Sequence, residues 1–318
     1  MPPLPVIDCI RRRDSVSRPS QHAFTLIELL VGVTVLAVMV VLLSQLVIYS
    51  ENVWHMTEAK KEQLQTARAL SDFMGRELQS ALLPINRPSQ TDLQFVVNPT
   101  AVTSTYRNRD AFFWQTPLAS DPSLGDVAEV GYFVRWDTSV PSNPRALLCR
   151  FYLNPTSPDY KIHTEPAAWI SDALLNTAAP AVQTGGDNSY LGLFAENVIG
   201  LWVECLDSSG KVIAKNDAGQ PFAGASFDSR QGYTDSNGVV KTRGALPVAV
   251  DLSLVLMDSR TARRLGPQEQ AAILALAGDP GVTNGNTFVT RAISMPAFSK
   301  IRAGIRAYQT RIYLQGSK

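Results

Sequence analysis

The sequence predicts an α+β protein in which one long N-terminal helix packs on an antiparallel β-sheet head. Three observations predict it. Residues 24–49 carry one charged side chain, Glu28, among mostly Leu, Val and Ile. Residues 51–83 repeat apolar side chains at helical spacing. Beyond Pro84 the chain turns to short apolar runs between Pro-, Gly- and Asn-rich connections, the pattern of strands.

A helix over the first stretch would rise about 39 Å, enough to cross the ~30 Å hydrocarbon core of a bilayer. No proline falls between Pro19 and Pro84, so a single uninterrupted helix over residues 24–83 is expected. Gly32, Thr34 and Ser44 are small enough to let neighbouring helices approach. A lone carboxylate deep in a membrane costs roughly 2.5–3.5 kcal/mol to insert, so Glu28 is expected to have a function. Arg11, Arg12, Arg13 and Arg18 precede the apolar run, which keeps the N-terminus cytoplasmic and exports the rest. In the second stretch Leu64, Ala67, Leu70, Met74, Leu78, Ala81 and Leu82 form the core-facing stripe, and Pro84 ends the helix. Trp54 suits a membrane–water interface, whereas His55 beside it reads as simply exposed. The expected division is a leader at 1–23, a transmembrane half-helix at 24–50, an amphipathic half-helix at 51–83 and a β-rich head at 84–318.

The string AFTLIELL after a short basic leader resembles the processing site of type IV prepilins and type II secretion pseudopilins. The resemblance implies cleavage by a prepilin peptidase between Ala23 and Phe24, N-methylation of Phe24, and Glu28 as the fifth residue of the mature chain. The family usually has Gly where Ala23 stands; alanine is the next smallest residue. A carboxylate one turn from a new amine can neutralise it between neighbouring subunits in an apolar filament core. An ordinary uncleaved signal anchor is the alternative reading of the same stretch.

In the head, strands are expected at 93–97, 111–115, 128–136, 145–153, 197–207, 245–258 and 307–314. The pair 128–136 and 145–153 reads as a hairpin. Short helices are expected near 167–175, at 266–280 and as a turn near 296–304, with loops at 154–192 and 214–243. The strings VGYFVRW, ALLCRFY, NVIGLWVECLDSSGK and LPVAVDLSLVLMD, with ARALSDFMGRELQSAL before them, resemble J-type minor pseudopilins in content and order. A narrower resemblance is to the Verru_Chthon cassette protein C group. Both imply a long helix against antiparallel sheet, here with insertions at 154–192, 214–243 and 259–295.

The net charge of the 318 residues is +1, with 29 basic against 28 acidic side chains, which argues against nucleic acid as a partner. Of the three cysteines, Cys9 lies in the leader; Cys149 and Cys205 fit either a disulfide in an oxidising compartment or two buried thiols. His55 and His163 stand far apart, and the zinc, Walker, Rossmann and G-x-S-x-G spacings are absent from the sequence. No cofactor is expected. The one metal candidate is calcium at Asp228, Asp235, Ser236 and Asn237, residues that equally suit a tight turn. Arg263 and Arg264 read as solvated surface, and Phe112–Trp114 as sheet core.

The function expected is therefore structural: a minor pseudopilin or minor pilin, assembled at the tip of a type II secretion pseudopilus or type IV pilus-like filament. Its partners by resemblance are the prepilin peptidase, other pilins or pseudopilins, an inner-membrane assembly platform and membrane lipid. The alternative is an exported enzyme or binding protein that uses the helix only as an anchor.

Overall fold

The structure, a computed structural model, describes residues 25–82, 93–106, 108–178 and 192–314. The chain divides into two units, Met1–Met56 and Thr57–Lys318, and helix α1 (Leu26–Gln79) contributes to each.

Among the described residues of the first unit the surface of the helix is exposed along its length. Leu26, Leu29, Leu36, Leu43 and Leu46 are 61–83% exposed, so this surface must meet lipid or another chain to leave water. Its hydroxyls are already satisfied: Thr34 donates to the Val31 carbonyl and Ser44 to that of Val40, both at 2.8 Å. That arrangement suits a medium offering no water to hydrogen-bond. Among the described residues, α1 is the one helix long and apolar enough to cross a membrane.

In the second unit, α1 buries Gln63, Ala67, Leu70, Met74, Glu77 and Leu78 on one face, at spacings of three and four. Leu64, expected on that face, is instead 38% exposed. Its neighbour Gln63 goes inside because its amide donates to the carbonyls of Leu256 at 2.7 Å and Gly304 at 3.2 Å. The helix stops at Gln79, earlier than expected. There the Ser80 hydroxyl takes the Glu77 carbonyl, and Leu82 N–H bonds to the Gln115 carbonyl, steering the chain onto the sheet. Pro84, the expected stop, lies outside the described residues.

Strands β1 (Phe95–Val97), β2 (Ala111–Thr116), β3 (Ala128–Asp137) and β4 (Arg145–Leu153) form an antiparallel meander. After helix α2 (Asp172–Ala178), β5 (Leu193–Glu196) adds to β4, and β6 (Val198–Leu206) leaves for a second sheet. Strand β7 (Phe227–Asp228) extends the first sheet beyond β1, giving the order β5-β4-β3-β2-β1-β7. A small ribbon, β8 (Tyr233–Thr234) and β9 (Val240–Lys241), follows, then β10 (Ala249–Met257). Helices α3 (Ser259–Ala262), α4 (Pro267–Gly278) and α5 (Gly285–Ser294) precede β11 (Ile305–Tyr313), and the second sheet runs β11-β10-β6. The expected hairpin is present as β3–β4, closed at its end by Arg145 and Asp137 at 2.9 Å.

Strands β2 and β10, inside their sheets, are buried along their whole length on both faces, which explains a strand as uniformly apolar as AFFWQ. Phe112, Trp114, Tyr132 and Leu252 face α1. Phe113, Phe133 and Phe151 face the opposite way, under Ile162, Trp169 and Leu175. Trp202, Val255 and Met257 lie under Ile273, Phe288 and Phe298. The insertions at 154–192 and 259–295 are thus the lids of the two sheets, while that at 214–243 adds β7 to the edge of the larger one. Gly131 is required here: a Cβ on it would sit 2.0 Å from the ring of its cross-strand partner Phe113.

Several expectations change. Residues 214–243, expected as a surface loop, contain β7, β8 and β9 and bury Phe227 and Tyr233. Helix α5 falls in a stretch for which no helix or strand was expected; Asn284 caps it through the Thr287 N–H at 2.9 Å, and Phe288 and Ala292 bury its inner face. The short helix expected near 167–175 forms at α2, and the turn near 296–304 is a 3-10 turn at Pro296–Phe298. Cys149 and Cys205 are free, buried thiols in different cores, so the disulfide alternative fails. Burial pushes the Cys149 thiol up to about 12 and the Cys205 thiol well above its ordinary value.

Two buried carboxylates of the head, Glu77 and Glu129, differ in how they are partnered. Glu77 of α1 accepts from the Arg150 guanidinium of β4 and the Tyr132 hydroxyl of β3. Burial first, then the Glu77 charge, drives the Tyr132 phenol far above its ordinary range. Glu77→Ala would strand Arg150 and Tyr132, and we expect a loss of about 3 kcal/mol in chemical denaturation of the detergent-solubilised chain. Glu129, with 0% of its surface exposed, receives the Ile162 N–H at 3.0 Å, and its second oxygen has no partner among the described residues. Burial pushes its carboxyl from 4.5 to about 8. Between these values the unfolded chain is ionised while the folded one holds its proton, so this contribution is lost as pH rises. Glu129→Gln keeps the acceptor and cannot ionise. Its stability relative to the native chain should rise between about pH 5 and pH 8, by on the order of 4 kcal/mol; a flat difference would refute the assignment.

Candidate processing and assembly site

Glu28 lies in the first turn of α1, and Thr25 stands just ahead of the helix. The Thr25 N–H and hydroxyl both donate to Glu28 Oε2, at 3.0 and 2.9 Å, and the Glu28 N–H donates to Thr25 Oγ1 at 3.3 Å. This is a reciprocal capping box, built on the Thr-x-x-Glu spacing. It satisfies N–H groups that a helix start leaves open, and it places a negative charge where the helix dipole favours one. Glu28 Oε1 takes part in none of these contacts. The sequence marked Glu28 by its isolation; Thr25 was also legible there, as the Thr three residues before a Glu. Ala23 and Phe24 lie outside the described residues.

The other candidates are scattered. Asp228 is held by Arg230 at 2.7 Å and caps a 3-10 turn, whereas Asp235 accepts the N–H groups of Asn237 and Val239. Ser236 N–H bonds to Asp207 and Asn237 Nδ2 to Ser209. These residues shape a turn, and among the described residues no group of three His, Cys, Asp or Glu side chains is placed to hold a metal. His55 is exposed, and His163 lies 5.8 Å from the Tyr160 ring. Arg263 and Arg264 are exposed and Phe112–Trp114 are core, as expected.

A cavity of about 650 Å³ opens in the head, lined by Asn98, Ser104, Asn108, Arg109, Asp110 and Leu274 among others. The Asp110 carboxylate is occupied by Asn98 Nδ2 at 2.7 Å and the Val203 N–H at 2.9 Å. Its described lining residues include hydroxyls but no His or Cys to activate one.

Residues 18–44 match the prokaryotic N-terminal methylation motif. The matched residues include Ala23 and Phe24, the capping box and most of the exposed apolar helix. It is consistent with a type IV pilin or pseudopilin, a structural protein processed by prepilin peptidase and assembled with other pilins. With the helix, it makes this a membrane-anchored chain with a pilin-like arrangement of long helix and antiparallel head. No curated protein and no solved structure matches the chain.

Proposed function

We propose that the chain is a minor subunit at the tip of a type II secretion pseudopilus or type IV pilus-like filament. In this reading prepilin peptidase cuts between Ala23 and Phe24 and Phe24 becomes N-methylated. The helix holds the subunit in the inner membrane, head outside, until an assembly platform extracts it. The observation that carries the reading is the methylation motif over a helix whose capping box fixes Glu28. Thr25 engages one carboxylate oxygen and leaves Oε1 to meet the Phe24 amine of a neighbouring subunit. Such a pair offsets the cost of each charge in an apolar filament core. A bulky head with lidded sheets favours a tip position, because it would crowd a repeating shaft. The ordered strings around Glu77, Tyr132 and Arg150 favour the J-type within the pseudopilins.

The N-terminus of membrane-extracted protein tests this first. We expect a chain beginning at methylated Phe24; a chain that keeps Met1, or is cut elsewhere, removes the processing step. Glu28→Leu should leave membrane insertion and head folding intact and abolish incorporation into filaments. Retained incorporation would count against the charge-neutralising role. Quantitative mass spectrometry of purified filaments should find this subunit rare, and a major share would exclude the tip position.

A further inference from the structure

Five arginines gather at one end of the head. Arg260 lies on α3, Arg263 and Arg264 just beyond it, Arg302 before β11 and Arg306 on β11. The two segments touch closely. Asp258 N–H bonds to the Gly304 carbonyl at 2.9 Å, and a Cβ on Gly304 would lie 2.0 Å from Thr261 Oγ1. Elsewhere in the head arginines grip carboxylates, as Arg150 does Glu77, Arg291 does Asp279 and Arg311 does Asp251. These five have no carboxylate partner among the described residues. Arg302 and Arg306 reach only the main-chain carbonyls of Ile293 and Ile305. Of the nearby acids, Asp258 caps the Thr261 N–H and hydroxyl and Glu269 is held by Lys300 at 2.9 Å and Gly266 N–H, while Glu62 of α1 lines a groove beside Asp258.

The location gives this charge a meaning. Gln63 of α1 bonds to Leu256 and Gly304, and Ala59 and Glu62 line one groove with Asp258 and Ser259. The two segments that carry the arginines therefore meet α1 where the chain enters the head, soon after the apolar stretch ends at Tyr49. Only ten residues of sequence separate Tyr49 from Ala59, and an arginine side chain is itself long and mobile. Guanidinium groups bind phosphate oxygens bidentately, and each basic side chain near an anionic surface adds attraction.

We propose that Arg260, Arg263, Arg264, Arg302 and Arg306 form a docking surface for the phosphate groups of anionic phospholipid. The proposal rests on the membrane-anchored reading of α1 and not on filament assembly. The test uses the full-length chain in nanodiscs of phosphatidylcholine alone or with phosphatidylglycerol, read by hydrogen exchange. With phosphatidylglycerol, amides of 259–264 and 299–306 should exchange at least about fivefold more slowly. The protection should vanish near 1 M salt, where the screening length falls to about 3 Å. It should also vanish in the triple variant Arg260→Gln, Arg263→Gln, Arg264→Gln, whose side chains are exposed and whose folding is checked by unchanged exchange in β3 and β4. Equal exchange in both lipids overturns the proposal. So does protection that appears only when other subunits are added, which would assign the surface to an acidic protein partner. Co-elution of chain and disc reports separately on anchoring, and a chain that enters neither disc overturns the premise itself.

Discussion

The head is built around one buried ionic contact, that of Glu77 with Arg150 and Tyr132. It joins the helix to two neighbouring strands of the larger sheet, β3 and β4, and each partner is costly to leave alone. Arg150 is further held between the rings of Phe73 and Tyr152, with centroids 5.7 and 4.7 Å away. The apolar stripe of α1 could slide along a flat sheet by a turn and still bury its leucines. A charge that must find its partner allows a single register. The ladders of β2, β3 and β4 then set which aromatic residues face the helix and which face the lid.

Much of this was legible because the two periodicities are strong. The three-and-four spacing of Ala67, Leu70, Met74 and Leu78 marked the helix, while apolar strand-forming runs at 128–136 and 145–153 and alternation in 245–258 marked the long strands. What escaped has physical causes. Residues 284–294 are rich in Gly, Asn and Thr, poor helix formers, and the helix is held by the Asn284 cap and by Phe288 under Trp202. The two-residue strands of 227–241 are too short for any period to show. Gln63 has no place in an apolar stripe; only the carbonyls of Leu256 and Gly304 make it a core residue. The candidate site was legible as a motif, through Glu28 in its apolar run, while the Thr25 contacts that orient the carboxylate needed coordinates.

Charge is used in three ways along the chain. At Glu28 a carboxylate is capped on one oxygen. At Glu77 it is saturated. At Glu129 it is buried with one oxygen unpartnered, so the folded state holds a proton that the unfolded chain would release. A near-neutral total of +1 conceals these differences, which is why composition excludes partners better than it identifies them.

Gln63 and Glu77 fasten the same helix at two points separated by about 21 Å, one to each sheet. A filament subunit is pulled along its helix, and a helix glued only by oily contacts would creep under sustained tension. Two polar latches, each broken only by exposing unpaired groups to a dry interior, turn sliding into an all-or-none event. The head should therefore behave under load as a rivet, holding its place until it yields at once.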